Sequence, residues 1–187
     1  EFDIVLMRLP RPMSDDFLLG LKDKFKNKIF INDPFGMTSC SSKAFLLNFP
    51  ELCPPIKLCH SIEDVTEFTS KYDTVLKPLR DYGGRGLLKI TGQIVHDGIS
   101  YHPTDKYLAS IKANIEKDGY IAMKYMENVG QGDKRLIVVG GEIMAASLRL
   151  PPDNSWLCNV ALGGKSVPSE ATVKEKQIVK TINPLLE

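Results

Sequence analysis

The run Thr74-Val75-Leu76-Lys77-Pro78 is apolar and ends on a lysine, and Asp81-Tyr82-Gly83-Gly84-Arg85-Gly86 follows at once. A second apolar run, Leu87-Leu88-Lys89-Ile90, leaves the glycines. Two runs of strand length around a glycine cluster predict a hairpin over 73–91, which commits this part of the chain to an antiparallel sheet. A lysine at a buried strand end is costly unless an anion pairs with it, and Pro78 forces Lys77 into extended geometry. Gly83, Gly84 and Gly86 permit positive φ and let amide N–H groups approach a ligand closely. One reading is an ammonium fixed on a nucleotide phosphate beside a pliable loop. The other is an alternating strand with Lys77 in solvent and an ordinary turn. Local sequence leaves both open. Neither G-x-x-x-x-G-K-[ST] nor G-x-G-x-x-G occurs, so neither phosphate-binding fingerprint applies.

Composition narrows the partners. With 187 residues the chain can hold one large domain or two small ones, and a 43% hydrophobic share supports a core. Its 24 basic and 23 acidic residues, without a basic block, argue against nucleic acid and against a membrane surface. No apolar run approaches a membrane span, and the N-terminus lacks the order of a signal peptide. Cys40, Cys53, Cys59 and Cys158 form no C-x-x-C pair, so reduced cytosolic thiols are the reading and a cytoplasmic location follows. The chain starts inside a predicted strand and stops abruptly at Asn183-Pro184-Leu185-Leu186-Glu187, and we expect an excised piece of a longer protein.

Along the chain, a buried strand over 2–8, a helix capped by Ser14 with Phe17, Leu18, Leu21 and Phe25 on one face, and a strand over 28–31 predict an α/β unit with a parallel sheet. Asn32-Asp33-Pro34 breaks that strand, and a helix follows over 44–48. Ile56 and Leu58 mark a short strand. Ser61-Ile62-Glu63-Asp64 starts a helix with Ile62, Val65 and Phe68 buried. After the hairpin come a loop with one short strand (92–103), a helix over 105–117, a strand over 120–126 and a loop over 127–133. Gly140-Gly141 between 134–139 and 142–149 predicts a type I′ hairpin. Residues 151–168 read as a mobile loop, and 169–182 as a helix.

Candidate site residues are few. Lys43 is a second phosphate cation if it shares a cleft with Lys77, and otherwise a surface lysine. Asp133 and Arg135 flank the start of a strand; facing a cleft, the Arg135 guanidinium suits a carboxylate or a transferring phosphoryl group, and otherwise it joins a surface ion pair. Asn159 and Gly163-Gly164-Lys165 belong to a substrate lid or to a plain connection. His60, His96 and His102 have no partner at suggestive spacing and take no catalytic role.

These features occur in one order that resembles bacterial glutathione synthetases, of the ATP-grasp superfamily. The matching stretches run from Val5-Leu6-Met7-Arg8 and Ile31-Asn32-Asp33-Pro34, through Val75-Leu76-Lys77-Pro78-Leu79 and Gly83-Gly84, to Gly132-Asp133-Lys134-Arg135-Leu136. They continue with Val138-Val139-x-Gly141-Glu142, Arg149-Leu150-Pro151 and Asn159-Val160-Ala161-Leu162-Gly163-Gly164. The resemblance implies an α+β fold: an incomplete ATP-grasp unit preceded by the tail of an α/β domain. The expected boundaries are 1–41 for that tail, 42–119 for the smaller subdomain with its phosphate loop, and 120–187 for part of the second. It implies that Lys43 and Lys77 hold ATP phosphates, with Gly83 and Gly84 in the loop that closes on them. Lys124, Tyr125 and Met126 match the hinge strand that bonds adenine, Asp133 a nucleotide-site position, and Arg135 and Asn159 catalytic positions near the transferred phosphoryl group.

The implied reaction activates the carboxylate of γ-glutamylcysteine as an acyl phosphate, which glycine's amine then attacks. ATP and magnesium are the implied cofactors, small peptide and amino-acid substrates the implied partners, and a homo-oligomeric full-length protein is left open. Two departures stand out. The family's magnesium ligands lie downstream of the last helix, so we expect none in this chain and no ligase activity from it alone. Leu157 and Cys158 stand where the family has Arg-Gly, which favours a different donor acid. The alternatives are another ATP-grasp amino-acid or peptide ligase, a non-catalytic nucleotide-binding protein similar to synapsin, and an α/β interaction domain without ligand.

Overall fold

A computed structural model describes residues 2–8, 14–153 and 155–186; Glu187 and position 154 of the expected loop lie outside them. The chain divides into two compact units, one up to Phe45 and one from Leu46 onward.

In the first unit, strands Ile4–Leu6 (β1) and Ile29–Ile31 (β2) pair in parallel and are joined through helix Asp15–Lys24 (α1). The Ser14 hydroxyl accepts the Phe17 N–H at 3.2 Å. Asp15 and Asp16 in the first turn and Lys22 and Lys24 in the last complement the helix dipole. Leu18 is buried, but Phe17 is 50% exposed, so the inward stripe is narrower than expected. Strand β1 is not buried either: Ile4 and Leu6 are 55% and 69% exposed, because a two-stranded sheet leaves one side uncovered. Asp33-Pro34 does more than end β2. The Asp33 carboxylate accepts the N–H groups of Phe35 and Gly36, and Pro34 opens helix Pro34–Ser41 (α2), where its missing N–H costs nothing. Lys43 then heads a 3-10 segment, Lys43–Asn48.

The second unit is built on a six-stranded antiparallel sheet. Its strands are Ile56–Cys59 (β3), Thr74–Pro78 (β4), Leu88–Thr91 (β5), Ile94–His96 (β6), Tyr101–Pro103 (β7) and Tyr120–Lys124 (β8). The spatial order is β3-β8-β4-β5-β6-β7, so the sheet crosses the boundary expected at 119/120. Helices Ile62–Thr69 (α3), Thr104–Ser110 (α4) and Lys112–Asp118 (α5) cover one face. Two helices replace the single one expected over 105–117. At Ile111 (φ −105°, ψ 8°) the backbone leaves helical geometry, yet Leu108, Ile111 and Ile115 still share the core face. The core joins Val65 and Phe68 of α3 to Leu76, Leu88, Ile90, Val95 and Ala122 of the sheet. Each of these Val, Leu, Ile and Phe side chains contributes about 1.5–3 kcal/mol when fully buried. Side chains alternate between faces along a strand. Thr74 and Leu76 therefore enter this core, while Val75 and Lys77 emerge on the opposite face.

A three-stranded antiparallel sheet follows, in the order β11-β10-β9, from Asp133–Val139 (β9), Glu142–Leu150 (β10) and Lys165–Ser169 (β11). Gly140 and Gly141 have φ of 54° and 77°, the positive pair a type I′ turn requires. Strand β11 takes up the end of the loop expected over 151–168 and reaches Ser169, the first residue of the expected helix. Pro168 argues against a strand by composition, but β11 is an edge strand, where a missing donor is tolerated. Helix Val173–Ile182 (α6) starts with a capping box: Thr172 Oγ1 accepts the Glu175 N–H at 3.2 Å, and the Glu175 carboxylate accepts the Thr172 N–H at 2.7 Å. Lys134 of β9 reaches that carboxylate at 3.0 Å. Thr172→Ala is expected to cost about 1 kcal/mol, read as a lower midpoint in chemical denaturation. No described helix is long and apolar enough to cross a membrane.

Candidate nucleotide site

The face of the large sheet opposite its helices opens on a cavity of ≈160 Å³. Its walls come from four places. The β4–β5 hairpin supplies Val75, Lys77 and Leu87; the segment after β8 supplies Tyr125, Met126 and Val129; β9 supplies Asp133; and residues 156–159 close the remaining side. The hairpin register, Leu76 opposite Leu88 and Thr74 opposite Ile90, fixes the two apolar walls on the core side and Lys77 on the cavity side.

Lys77 is half-buried, and burial pushes its ammonium below the ordinary lysine value of 10.5, against the opposing influence of Cys53 and Asp133. A desolvated ammonium of this kind gains most from a ligand that carries negative charge into the cavity. Asp133 is held by Arg149 in a bidentate pair, Nε to Oδ1 at 2.6 Å and Nη2 to Oδ2 at 2.5 Å. The pair also holds the Arg149 guanidinium above its usual range. Cys158 is buried, and desolvation first, then the Asp133 charge, raises its thiol. The thiol therefore stays protonated, a wall rather than a nucleophile.

Lys77, Tyr125, Met126, Asp133 and Asn159, singled out from sequence, come together on this one cavity. Gly84 (φ +84°) stands against it: a Cβ there would lie 3.0 Å from Asn159 Oδ1 and 3.0 Å from Leu162 Cδ1. Gly83 (φ +71°) has open space around it. Lys124 does not line the cavity. It follows Tyr120 and Ala122 on the helix side, with its ammonium 5.9 Å from the Tyr72 ring centroid. Arg135 shares Asp133's face of β9 by strand alternation but is exposed and not a cavity wall. Lys43 belongs to the first unit. Sequence reasoning missed Arg149 and Trp156. Arg149 sits in the motif Arg149-Leu150-Pro151, but only the β9–β10 register shows that it faces Asp133. Among the described residues, no group of three His, Cys, Asp or Glu side chains could hold a metal ion.

This antiparallel sheet, with its strand-end lysine on a cavity beside a glycine-tipped hairpin, belongs to an ATP-grasp fold. Two solved structures share the fold. D-cycloserine synthetase DcsG superposes with a TM-score of 0.66 over 98% of this chain and 66% of its own, at 14% identity. A RimK domain ATP-grasp protein from Sphaerobacter thermophilus gives 0.65 over 100% and 65%, at 15% identity. Within that class the chain belongs to the prokaryotic glutathione synthetase family, whose ATP-grasp domain matches residues 42–187. Glutathione synthetase of Bradyrhizobium diazoefficiens is 28% identical over 99% of this chain, and that of Agrobacterium fabrum 29% over 98%. The chain spans 58% and 56% of those two relatives' lengths.

Proposed function

We propose that this chain is the nucleotide-binding part of an ATP-dependent carboxylate–amine ligase of the glutathione synthetase kind. The observation that carries the reading is the half-buried Lys77 ammonium on the same cavity as Asp133 and Asn159. In the proposed reaction a carboxylate oxygen attacks the γ-phosphorus of ATP and ADP leaves. The amine nitrogen of the acceptor then attacks the acyl carbon, phosphate leaves, and the amine loses a proton. Lys77 binds a phosphate oxygen and offsets charge that builds on the phosphoryl group. The Asn159 amide offers N–H donors to the same group. Tyr125 and Met126 wall the side where a base would stack. Arg149 keeps the Asp133 carboxylate from closing on Lys77. We place the division between the two ATP-grasp subdomains after Lys124, since β8 lies inside the large sheet. The family uses magnesium with ATP, and the ion, when bound, would neutralise charge on the phosphates. The described residues gather no group of three His, Cys, Asp or Glu side chains to hold it.

Leu157 and Cys158 favour a second reading, a ligase of the same chemistry acting on a different acid. Both are buried walls of the cavity, and neither offers charge to a substrate carboxylate. Assaying ADP release by the full-length protein with a panel of acids and amines separates the readings. Release that requires γ-glutamylcysteine and glycine together is the expected result. A requirement for another acid selects the second reading, and release indifferent to both substrates refutes a ligase.

A further inference from the structure

A second cavity, of ≈360 Å³, lies on the same sheet face and is lined by Lys89, Thr91, Ile94, His96, Tyr101 and Trp156. Trp156 lines both cavities and is the wall between them. Its indole N–H donates to His96 Nδ1 at 3.2 Å, and the same nitrogen accepts the Gly98 N–H at 3.2 Å. The indole meets the Tyr125 ring edge-on at 6.4 Å, and the Lys89 ammonium sits 3.7 Å from the other partner of that contact, the Tyr125 ring centroid. The chain on either side of the indole is tied down as well. The Leu157 N–H donates to Ser155 Oγ at 3.1 Å, and the Leu157 side chain stands 3.6 Å from where a Gly98 Cβ would be. Asn159 closes against the glycine tip at Gly84.

Segment 155–159 therefore bridges two turns of the large sheet and forms one wall of the Lys77 cavity. At ≈160 Å³ that cavity is smaller than the roughly 300–1,000 Å³ that small-molecule sites occupy. Joined to its neighbour it would fall within that range. We propose that Trp156 is a displaceable partition: its bond to His96 latches segment 155–159 across the cavity, and nucleotide entry breaks that bond and joins the two spaces. This rests on the nucleotide reading above and adds a residue that sets affinity. The latched state is the one that cannot bind, so every increment of latch strength lowers the apparent nucleotide affinity by the fraction of molecules it holds closed. His96 and Trp156 are thus positioning residues, acting through Asn159 and the cavity volume.

The chain has one tryptophan, so its emission reports the latch alone. ATP is titrated into the full-length protein with calorimetry and emission followed in parallel; where that protein has further tryptophans, they are replaced by phenylalanine. Saturation is expected to shift Trp156 emission to the red and to raise its quenching by acrylamide. His96→Phe is expected to give those properties before ATP is added and to lower the Kd about three- to tenfold, the worth of one neutral hydrogen bond. Trp156→Phe, which leaves the Gly98 bond to His96 intact, is expected to tighten binding similarly by calorimetry. Heat of binding with unchanged Trp156 emission overturns the latch, as do two folded variants that bind no more tightly than the native chain. Absence of binding heat in the native protein refutes the nucleotide reading itself, and the latch with it.

Discussion

Lys77→Ala is expected to weaken ATP binding by about 2–3 kcal/mol, the range of a hydrogen bond to a charged partner in a partly desolvated site, or roughly 30- to 150-fold in Kd. Strand alternation places the lysine. Leu76 is fully buried in the helix-covered core, so its neighbour Lys77 must emerge on the cavity face. There the ammonium is deprived of water and is only partly compensated by Asp133, which is already engaged by Arg149. Free energy lost in desolvating the amine is regained only when an anion arrives. Lys77→Met separates this from a structural role, since it keeps the bulk and removes the charge. It should lose the same affinity while leaving the thermal midpoint unchanged or higher. The pH dependence carries a definite sign. Burial holds the free-state ammonium below 10.5, and a bound phosphate raises it. The contribution is therefore complete below the free-state value and is lost as pH rises from there through the value in the complex. Isothermal titration across that window checks it; affinity in Lys77→Ala equal to that of the native chain would remove Lys77 from the site.

What the sequence shows of this site, and what it hides, follows from the range of the interactions. The β4–β5 hairpin is readable because both strands and the turn lie within 18 residues of one another, Thr74 to Thr91, and each carries its own pattern. Whether Lys77 met solvent or a ligand cavity was not, because that depends on which face the helices α3 to α5 cover. Asp133 and Arg149 show the limit more sharply. Counting back from the Gly140-Gly141 turn pairs Val139 with Glu142, and a regular ladder would then set Asp133 opposite Leu148. The structure has a register shift between Ile143 and Ala145, which carries Arg149 to Asp133 instead. One unpaired residue, Met144, thereby replaces an aspartate–leucine opposition by the ion pair of the site, and nothing in the local sequence marks it. Strand β11 is hidden by Pro168 for a similar reason: whether a proline is tolerated depends on whether the strand is an edge, which only the assembled sheet decides.

Gly132→Ala is expected to destabilise the protein by about 3 kcal/mol or more and to displace Asp133, because two separate costs fall on one methyl group. The first is conformational. Gly132 has φ 102° and ψ 169°, a region that side-chain-bearing residues reach only with strain of about 1–3 kcal/mol. The second is steric. A Cβ on Gly132 would stand 2.7 Å from the backbone oxygen of Arg149, with Leu148 Cδ1 at 3.0 Å and Leu150 Cδ2 at 3.1 Å. The leucine tips can turn aside, but the carbonyl belongs to β10 and moves only if the β9–β10 ladder opens. Since Asp133 pairs with Arg149 at that very rung, relief of the clash pulls apart the bidentate bonds of 2.6 Å and 2.5 Å. The stability loss should thus come with a loss of nucleotide affinity that Gly130→Ala, whose Cβ would meet nothing within 4 Å, does not share. Chemical denaturation gives the first quantity and calorimetric titration the second. A Gly132→Ala protein with native midpoint and native affinity would mean that β10 yields at Arg149 without cost, and that the Asp133–Arg149 pair does not depend on the tight approach of these two strands.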